Sequence, residues 1–272
     1  MNDNYVRAST LCTPSKLPAS DYVINPYVGC IHRCLYCYAC FMGRFTGHTE
    51  KWGTYVEPKR FESYALPKDL KGKTILIGSV TDAYNPAEKK YSLMPDILKS
   101  LSKCEAHVEI LTKSSLVLRD INFIKAIPDI AVGVSMSNLN ENDNALFEPG
   151  ASSAKERIHT LSELHKAGIR TYLFVAPYLP GITNLSELCE TVKGSVDYVC
   201  VENLNLRGSY KQPMLEAIRK SHPDIYPLWD DIYVKKHTST YWSKVEEELT
   251  LLGKKIDIPL ISYMYHEKIK KQ

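Results

Sequence analysis

The sequence has little of three things: long apolar runs, cysteine and charge of one sign. No apolar run in its 272 residues approaches the roughly 20 residues that a membrane-spanning helix needs, so no membrane association is expected. Eight cysteines are too few for the disulfide framework of a short secreted protein. A formal net charge of +3 is too small for a dedicated nucleic-acid binder, so stable nucleic-acid binding is not expected.

The composition is that of an ordinary globular protein, with 44% hydrophobic and 24% charged residues. That much apolar material can form a sizeable core, and neither an internal repeat nor a low-complexity segment divides the chain. We therefore expect one domain over residues 1–272, with a core at about 20–220 and a C-terminal extension at about 221–272. The free cysteines and the absence of an apolar export signal predict a cytoplasmic location.

Three closely spaced cysteines, Cys30, Cys34 and Cys37, form a C-x3-C-x2-C pattern. Thiolate sulfur selects zinc, copper(I) or iron–sulfur clusters, and three thiolates this close can hold one such centre. On a four-iron cluster, three protein ligands leave one iron without a protein ligand, and that iron can bind and activate a small molecule. The count of three therefore favours a catalyst over an electron carrier.

Structural zinc is the main alternative, because Cys40 supplies a fourth sulfur three residues after Cys37. Zinc modules usually take their ligands as two pairs separated by a loop, so sulfurs this crowded fit poorly. His32 and His48 could also complete a zinc site. This alternative predicts a zinc-stabilised binding module without catalysis. A second register, C-x2-C-x2-C from Cys34, also stays open.

Short apolar strands alternate with amphipathic helices along most of the chain. Six β-runs are predicted, at residues 22–24, 74–77, 108–112, 130–135, 171–175 and 198–201. The alternation favours an α/β fold with a parallel sheet and right-handed crossovers, and six βα units are too few for a closed eight-stranded barrel. We therefore predict a partial (β/α)6 barrel.

Polar residues gather just after the predicted strands. They include the cysteine segment and residues 79–82, 113–115, 135–138, 177–178 and 202–205. Because the carboxyl ends of parallel strands share one edge, one face of the barrel is expected to collect the chemistry. The extension carries Trp229 and Trp242, a helix predicted near residues 243–251 and a last β-run at 258–262. We expect it to cover the open side of the barrel.

The cysteine pattern after a first strand, followed by the six-fold βα rhythm, resembles the radical S-adenosylmethionine enzymes. Within them, the chain is similar to the spore-photoproduct-lyase-like branch over roughly residues 22–205. The strings that carry this resemblance are Asn25-Pro-Tyr-Val-Gly-Cys30, Tyr36-Cys-Tyr-Ala39, Ser79-Val-Thr-Asp82, Thr112-Lys-Ser114, Leu118-Arg-Asp-Ile121, Glu148-Pro149, Arg157 and Ala167-Gly168.

The resemblance implies a [4Fe–4S] cluster on Cys30, Cys34 and Cys37, with S-adenosylmethionine as the second cofactor. The open iron would chelate the amino and carboxylate groups of the methionine moiety, and cleavage would release a 5′-deoxyadenosyl radical. The resemblance also implies an external electron donor such as a flavodoxin or ferredoxin.

The same resemblance assigns five further residues to the binding of S-adenosylmethionine. Tyr36 matches the aromatic position that packs near the adenine, and Lys113 would pair with the carboxylate of the methionine moiety. Ser79 and Thr81 would contact the methionine moiety, and Ser135 would meet the ribose. Ordinary roles compete with these, since a strand-end Ser or Thr is usually a turn former.

One departure bears on the substrate. In the DNA photoproduct lyases, a cysteine at the end of the second strand returns a hydrogen atom to the product, and Ser79 matches that position here. A serine O–H bond is too strong for that role, so repair of DNA is disfavoured. Radical modification or repair of nucleic acid or peptide is kept as the alternative enzymatic function.

Residues 38–50 are similar to short members of the branch that include partner proteins of mobile gene pairs and queuine lyases of base salvage. We therefore expect cleavage of a small nucleobase, with queuine converted to 7-aminomethyl-7-deazaguanine. A planar base needs a carboxylate, an amide and aromatic faces. Residues of these types at strand ends or in the extension are the predicted substrate contacts: Tyr178, Glu202, Asn203 and Asp231.

Overall fold

A computed structural model describes residues 5–264 of the chain. The strands, in chain order, are β1 (Val6–Ala8), β2 (Thr13–Pro14), β3 (Tyr22–Ile24), β4 (Tyr27–Gly29), β5 (Val56–Phe61), β6 (Thr74–Ile77), β7 (His107–Thr112), β8 (Ile130–Ser135), β9 (Arg170–Tyr178), β10 (Tyr198–Asn203) and β11 (Leu260–Tyr263).

The α-helices are α1 (Gly43–Thr46), α2 (Glu88–Tyr91), α3 (Met94–Leu101), α4 (Ile121–Lys125), α5 (Glu141–Phe147), α6 (Ala154–Lys166), α7 (Leu185–Val192), α8 (Lys211–Ser221), α9 (Tyr226–Trp229) and α10 (Thr238–Gly253). Short 3₁₀ segments lie at Tyr38–Met42, Ser115–Asp120 and Gly208–Tyr210, and a π-helical segment lies at Asp230–Val234. Within residues 5–264, no helix combines the length and apolarity needed to cross a membrane.

Eight strands form the large sheet, in the order β2-β3-β6-β7-β8-β9-β10-β11. Every neighbouring pair from β3 to β11 is parallel, and these strands follow one another in chain order. Each crossover therefore steps in the same direction, as in a (β/α) barrel. Among the described strands, β11 pairs only with β10 and β2 only with β3, so the sheet is open and the predicted partial barrel is confirmed.

The outer face of the sheet holds the main core. Ile75, Val108 and Val132 point from β6, β7 and β8 into one apolar cluster and are fully buried. Leu98 of α3 and Leu161 of α6 belong to the same cluster. The α6 helix starts at a capping box made by Ser153 and Glu156.

The inner face carries a smaller, aromatic layer. Tyr172 and Tyr198 stack with their ring centroids 4.8 Å apart, and the Phe174 ring stands edge-on to Tyr263 at 6.4 Å. Gly133 makes room for this layer, because a Cβ there would lie 2.3 Å from the Tyr172 ring. Aromatic rings therefore fill the barrel interior near the amino-terminal ends of β9 and β10.

The C-terminal extension adds a strand to the sheet. β11 pairs in parallel with β10, so the sheet has seven parallel strands where the sequence predicted six in the core. The predicted helix and β-run of the extension are present as α10 and β11. Residues 265–272 of the predicted extension lie outside the described residues, and the division into core and extension stays a prediction.

A second, three-stranded sheet in the order β1-β5-β4 leads into the cysteine segment. β4 pairs antiparallel with β5 and ends at Gly29, directly before Cys30. Gly29 has a φ of +80°, and a Cβ there would lie 2.5 Å from the backbone oxygen of Tyr55. The sequence predicts residues 22–24 as the strand before the cysteines and does not predict β4. The reason is that β4 pairs with β5, which comes much later in the chain.

Candidate active site

The three cysteines of the C-x3-C-x2-C pattern lie in the loop between β4 and the 3₁₀ segment at Tyr38–Met42. All are free thiols, with Cys30 buried and Cys34 and Cys37 half-buried. Burial raises the pKa of Cys30 to about 12 and also raises the pKa of Cys34 and of Cys37. Neighbouring thiolates add to the increase, so the loop brings all three sulfurs within electrostatic range of one another.

This set of thiols suits a four-iron cluster. Within residues 5–264, no group of three or more His, Cys, Asp or Glu side chains is gathered around a single metal position. A four-iron cluster takes one thiolate per iron, so its ligands surround a cube and need not converge on one point. Thiols with raised pKa values become thiolates when metal binds, and binding then releases their protons.

The other residues considered as zinc ligands have partners of their own. His32 Nδ1 lies 3.3 Å from Asp82 Oδ2, and the His48 ring is hydrogen-bonded to two glutamates. Cys40 Sγ lies 3.5 Å from Ser209 Oγ. The choice of Cys30, Cys34 and Cys37 over a site completed by Cys40 or a histidine stays a prediction.

Lys113, Tyr36 and Ser135 meet beside the cysteine loop. Lys113 Nζ donates a hydrogen bond to Ser135 Oγ at 2.9 Å and lies 5.8 Å from the centroid of the Tyr36 ring. Ser135 Oγ donates in turn to the Ala176 carbonyl oxygen at 3.1 Å. Burial raises the pKa of Cys34, and the Lys113 ammonium opposes that increase. The ammonium is therefore placed to attract an anionic group of a ligand beside the sulfurs.

Asp82 fixes the backbone that carries Lys113. Its carboxylate accepts hydrogen bonds from the Lys113 backbone N–H and from Thr112 Oγ1, each at 2.7 Å. Burial opposes the ionisation of Asp82, but His32 and these donors outweigh it and lower its pKa to about 2. Asp82 therefore stays ionised and ties the ends of β6 and β7 to the cysteine loop.

Ser79 and Thr81 are buried and make hydrogen bonds within the protein. Asn25 Nδ2 donates to Ser79 Oγ at 2.9 Å, and Thr81 Oγ1 donates to the Gly29 carbonyl oxygen at 2.6 Å. Both residues thus hold the segment that leads into Cys30, and the Thr81 hydroxyl hydrogen is used inside the protein. Direct contact of either residue with S-adenosylmethionine stays a prediction.

A buried ion pair contacts the hydroxyl of Tyr36, and the sequence alone assigns this pair no role in the site. Arg157 Nη1 lies 2.6 Å from Glu148 Oε2, and both side chains are 1% exposed. Glu148 also accepts a hydrogen bond from the Tyr36 hydroxyl, and Arg157 Nη1 donates to the Ser135 carbonyl oxygen at 2.8 Å. The pair therefore joins the cysteine loop to the end of β8. Both residues belong to the strings that carry the family resemblance, but spacing alone gave them no role.

The predicted substrate contacts separate into three at the strand ends and one in the extension. Tyr178 and Asn203 lie opposite each other at the ends of β9 and β10, and Glu202 directly precedes Asn203. Asn203 is 1% exposed, and within the described part of the chain its side-chain amide has no hydrogen-bond partner. Asp231 instead contacts His237 Nδ1 at 3.0 Å and is 47% exposed.

The sequence model of the Radical SAM superfamily matches residues 24–193 of this chain. An uncharacterized protein of Methanocaldococcus jannaschii is 35% identical over 224 residues, which are 82% of this chain and 85% of the relative. A radical SAM Nalpha-GlyT isomerase of Pseudomonas phage M6 is 27% identical over 220 residues, which are 78% of this chain and 45% of the isomerase.

Among solved structures, spore photoproduct lyase complexed with dinucleoside spore photoproduct matches with a TM-score of 0.56 at 16% identity. The match covers 78% of this chain and 63% of the lyase, so the chain spans less than two thirds of the lyase's length. A mutant of that lyase was solved with bound AdoMet. The family match covers more than half of the chain and agrees with the open parallel sheet. The protein therefore belongs to the Radical SAM superfamily, whose members use a [4Fe–4S] cluster and S-adenosylmethionine.

Proposed function

We propose that this chain is a radical S-adenosylmethionine lyase that acts on a small nucleobase, with queuine as substrate and 7-aminomethyl-7-deazaguanine as product. When bound, the cluster and S-adenosylmethionine supply a 5′-deoxyadenosyl radical, which starts the cleavage by removing a hydrogen atom. The observation that carries the proposal is the meeting of the cysteine thiols with Lys113, Tyr36 and Ser135 at the strand ends.

The residues around the cysteine loop would orient S-adenosylmethionine. Lys113 would bind the carboxylate of the methionine moiety as a point charge, with its position fixed by Ser135 and Asp82. Tyr36 would pack near the adenine, and Ser135 would meet the ribose. The electron that the reaction requires would come from an external donor of the flavodoxin or ferredoxin type.

Asn203 supports a substrate with a polar, planar edge. A buried amide without a partner costs about 1–3 kcal/mol, and a ligand that supplies the missing hydrogen bonds removes that cost. In the proposed substrate site, Glu202 would supply a carboxylate that accepts hydrogen bonds from a guanine-like N–H edge. Tyr178 would supply an aromatic face. Asp231 would join this set only by leaving His237.

Turnover with queuine tests the named substrate. The protein is reconstituted anaerobically with iron and sulfide, reduced, and supplied with S-adenosylmethionine and queuine. We expect 5′-deoxyadenosine together with the aminomethyl base, detected by mass spectrometry. Formation of 5′-deoxyadenosine without the aminomethyl base rejects queuine and leaves S-adenosylmethionine cleavage in place. If the cluster-loaded, reduced protein forms neither product, both queuine as the substrate and the cleavage of S-adenosylmethionine are rejected.

Replacing Lys113 with methionine is expected to weaken the binding of S-adenosylmethionine by about 10- to 100-fold. A hydrogen bond to a charged group contributes about 1.5–3 kcal/mol, and each 1.4 kcal/mol is about a tenfold change in affinity. Methionine keeps much of the lysine stem without its charge. The dissociation constant is measured by equilibrium dialysis on cluster-loaded protein.

The matched control for this variant is Lys220→Met. Lys220 lies 70% exposed on α8, where its ammonium contacts Glu216 at 2.7 Å, so its loss should leave the affinity for S-adenosylmethionine unchanged. An equal affinity in the wild type and in Lys113→Met would contradict the assignment of Lys113.

Radical modification of a nucleobase within nucleic acid is a second candidate function. The observation that favours it is the shared fold with a lyase whose structure holds a dinucleoside spore photoproduct. The small net charge of +3 speaks against tight binding of a long polymer. The same turnover assay with an oligonucleotide in place of queuine decides between the two, since a change in oligonucleotide mass would select the second.

A further inference from the structure

The loop between α1 and β5 brings an indole to one of the candidate cluster ligands. Trp52 Nε1–H donates a hydrogen bond to Cys37 Sγ at 3.2 Å. We propose that Trp52 is a positioning residue that raises the reduction potential of the cluster through this hydrogen bond. The inference rests on the proposed function, because it takes Cys37 as a cluster ligand.

Several contacts fix the Trp52 ring in place. The Tyr55 ring stands edge-on to it, with the centroids 5.8 Å apart and the planes at 85°. Tyr55 is itself stacked on His48 at 3.8 Å, and His48 Nε2 lies 2.9 Å from Glu57 Oε2 on β5. The other side of Tyr55 packs on Gly29 at the end of β4, where only a residue without a Cβ leaves room. The indole therefore belongs to the scaffold that also anchors the cysteine loop.

The physical effect of this hydrogen bond has a definite sign. Reduction adds an electron to the cluster and increases the negative charge on its sulfurs. An N–H donor stabilises the more negative state more strongly, and hydrogen bonds to the sulfurs are among the factors that set cluster potentials. Partial burial of the Trp52–Cys37 contact limits competition from water. Loss of the donor should therefore make the cluster harder to reduce.

Two of the candidate ligands, Cys30 and Cys37, differ in the groups that act on them. The backbone groups of Asp82 and His32 lower the pKa of Cys30 against the larger effect of burial, and no substitution of those side chains removes a backbone group. The Ala39 backbone also acts on Cys37, but Cys37 accepts in addition from the Trp52 side chain, and that donor can be deleted. Trp52 comes 15 residues after the third cysteine, and no spacing rule for metal ligands points to it.

The test is the midpoint potential of the reconstituted protein with Trp52→Phe. Phenylalanine keeps an aromatic ring against Tyr55 and removes the N–H group. A net hydrogen bond of this kind corresponds to about a three- to tenfold change in the reduction equilibrium, which for one electron is a shift of about 28 to 59 mV. We expect that shift toward more negative potential, measured by anaerobic titration with electron paramagnetic resonance detection, at unchanged iron and sulfide content.

Trp242→Phe is the matched control, because Trp242 packs against Tyr178 and Tyr241 rather than against the cysteine loop. Its potential should equal that of the wild type. Benzothienylalanine at position 52 keeps the shape of the indole and replaces only its N–H group with sulfur. If Trp52→Phe loses its cluster, this second variant tests the same hydrogen bond, and its midpoint potential should also become more negative.

An unchanged potential in a cluster-loaded variant that lacks the N–H overturns the inference. A cluster retained in Cys37→Ala would remove Cys37 from the ligand set, which is the separate failure of the proposed function. A shift in the Trp52 variants alone supports the hydrogen bond as its cause.

Discussion

Replacing Cys34 with alanine is expected to abolish the bound cluster and, with it, the cleavage of S-adenosylmethionine. Cys34 lies between the other two ligands in the loop, and its sulfur is in electrostatic range of both and of Lys113. Removing it leaves two thiols for a cluster that takes one thiolate per iron. Iron and sulfide content after anaerobic reconstitution and the yield of 5′-deoxyadenosine should both fall to background.

Cys40→Ala is the matched control, because Cys40 belongs to the same segment and lies against Ser209. This variant should keep its cluster and its turnover. If Cys40→Ala loses the cluster while Cys30→Ala keeps it, the second register, from Cys34 to Cys40, is the correct one.

Replacing Arg157 with methionine is expected to lower the free energy of unfolding by about 3–5 kcal/mol, the cost of breaking a buried pair by removing one partner. Glu148 would be left as a buried carboxylate, since both side chains of the pair are 1% exposed. Glu148 would then keep the Tyr36 hydroxyl as a hydrogen-bond donor without a charge partner. Denaturant unfolding measured by circular dichroism gives the change in stability.

An exposed pair provides the comparison. Lys220 and Glu216 lie 2.7 Å apart on α8, with side chains 70% and 59% exposed, so Lys220→Met should cost about 0–1 kcal/mol. The double replacement Arg157→Met with Glu148→Gln should recover part of the loss, because no unpaired charge remains. Equal stabilities of the two single variants would contradict the role given to the buried pair.

The regular elements of the core could be predicted from the sequence because their signals are local. The strands β6 and β8 have the predicted bounds, since short apolar runs between turn residues define them. β9 runs on to Tyr178, beyond the predicted end at residue 175, and β10 runs on to Asn203. The pairing of the two strands shifts register near these ends, and such irregularities leave no periodic pattern in the sequence.

The parts of the site that escaped prediction depend on contacts between distant segments. β4 exists only because β5 pairs with it, and Trp52 reaches Cys37 only because that pairing folds the intervening loop back. Glu148 and Arg157 are recognisable in the sequence, but their link to Tyr36 and Ser135 appears only in three dimensions. Thiolate ligands have a diagnostic spacing, whereas the groups that orient or tune them do not.

The stacked rings of Tyr172 and Tyr198 lie near the amino-terminal ends of β9 and β10. The polar residues considered for the site lie at the carboxyl ends of the same strands, as Tyr178 and Asn203 do. The aromatic layer and the candidate site thus occupy opposite ends of the same strands, so the rings can stabilise the sheet while the strand ends stay available for binding.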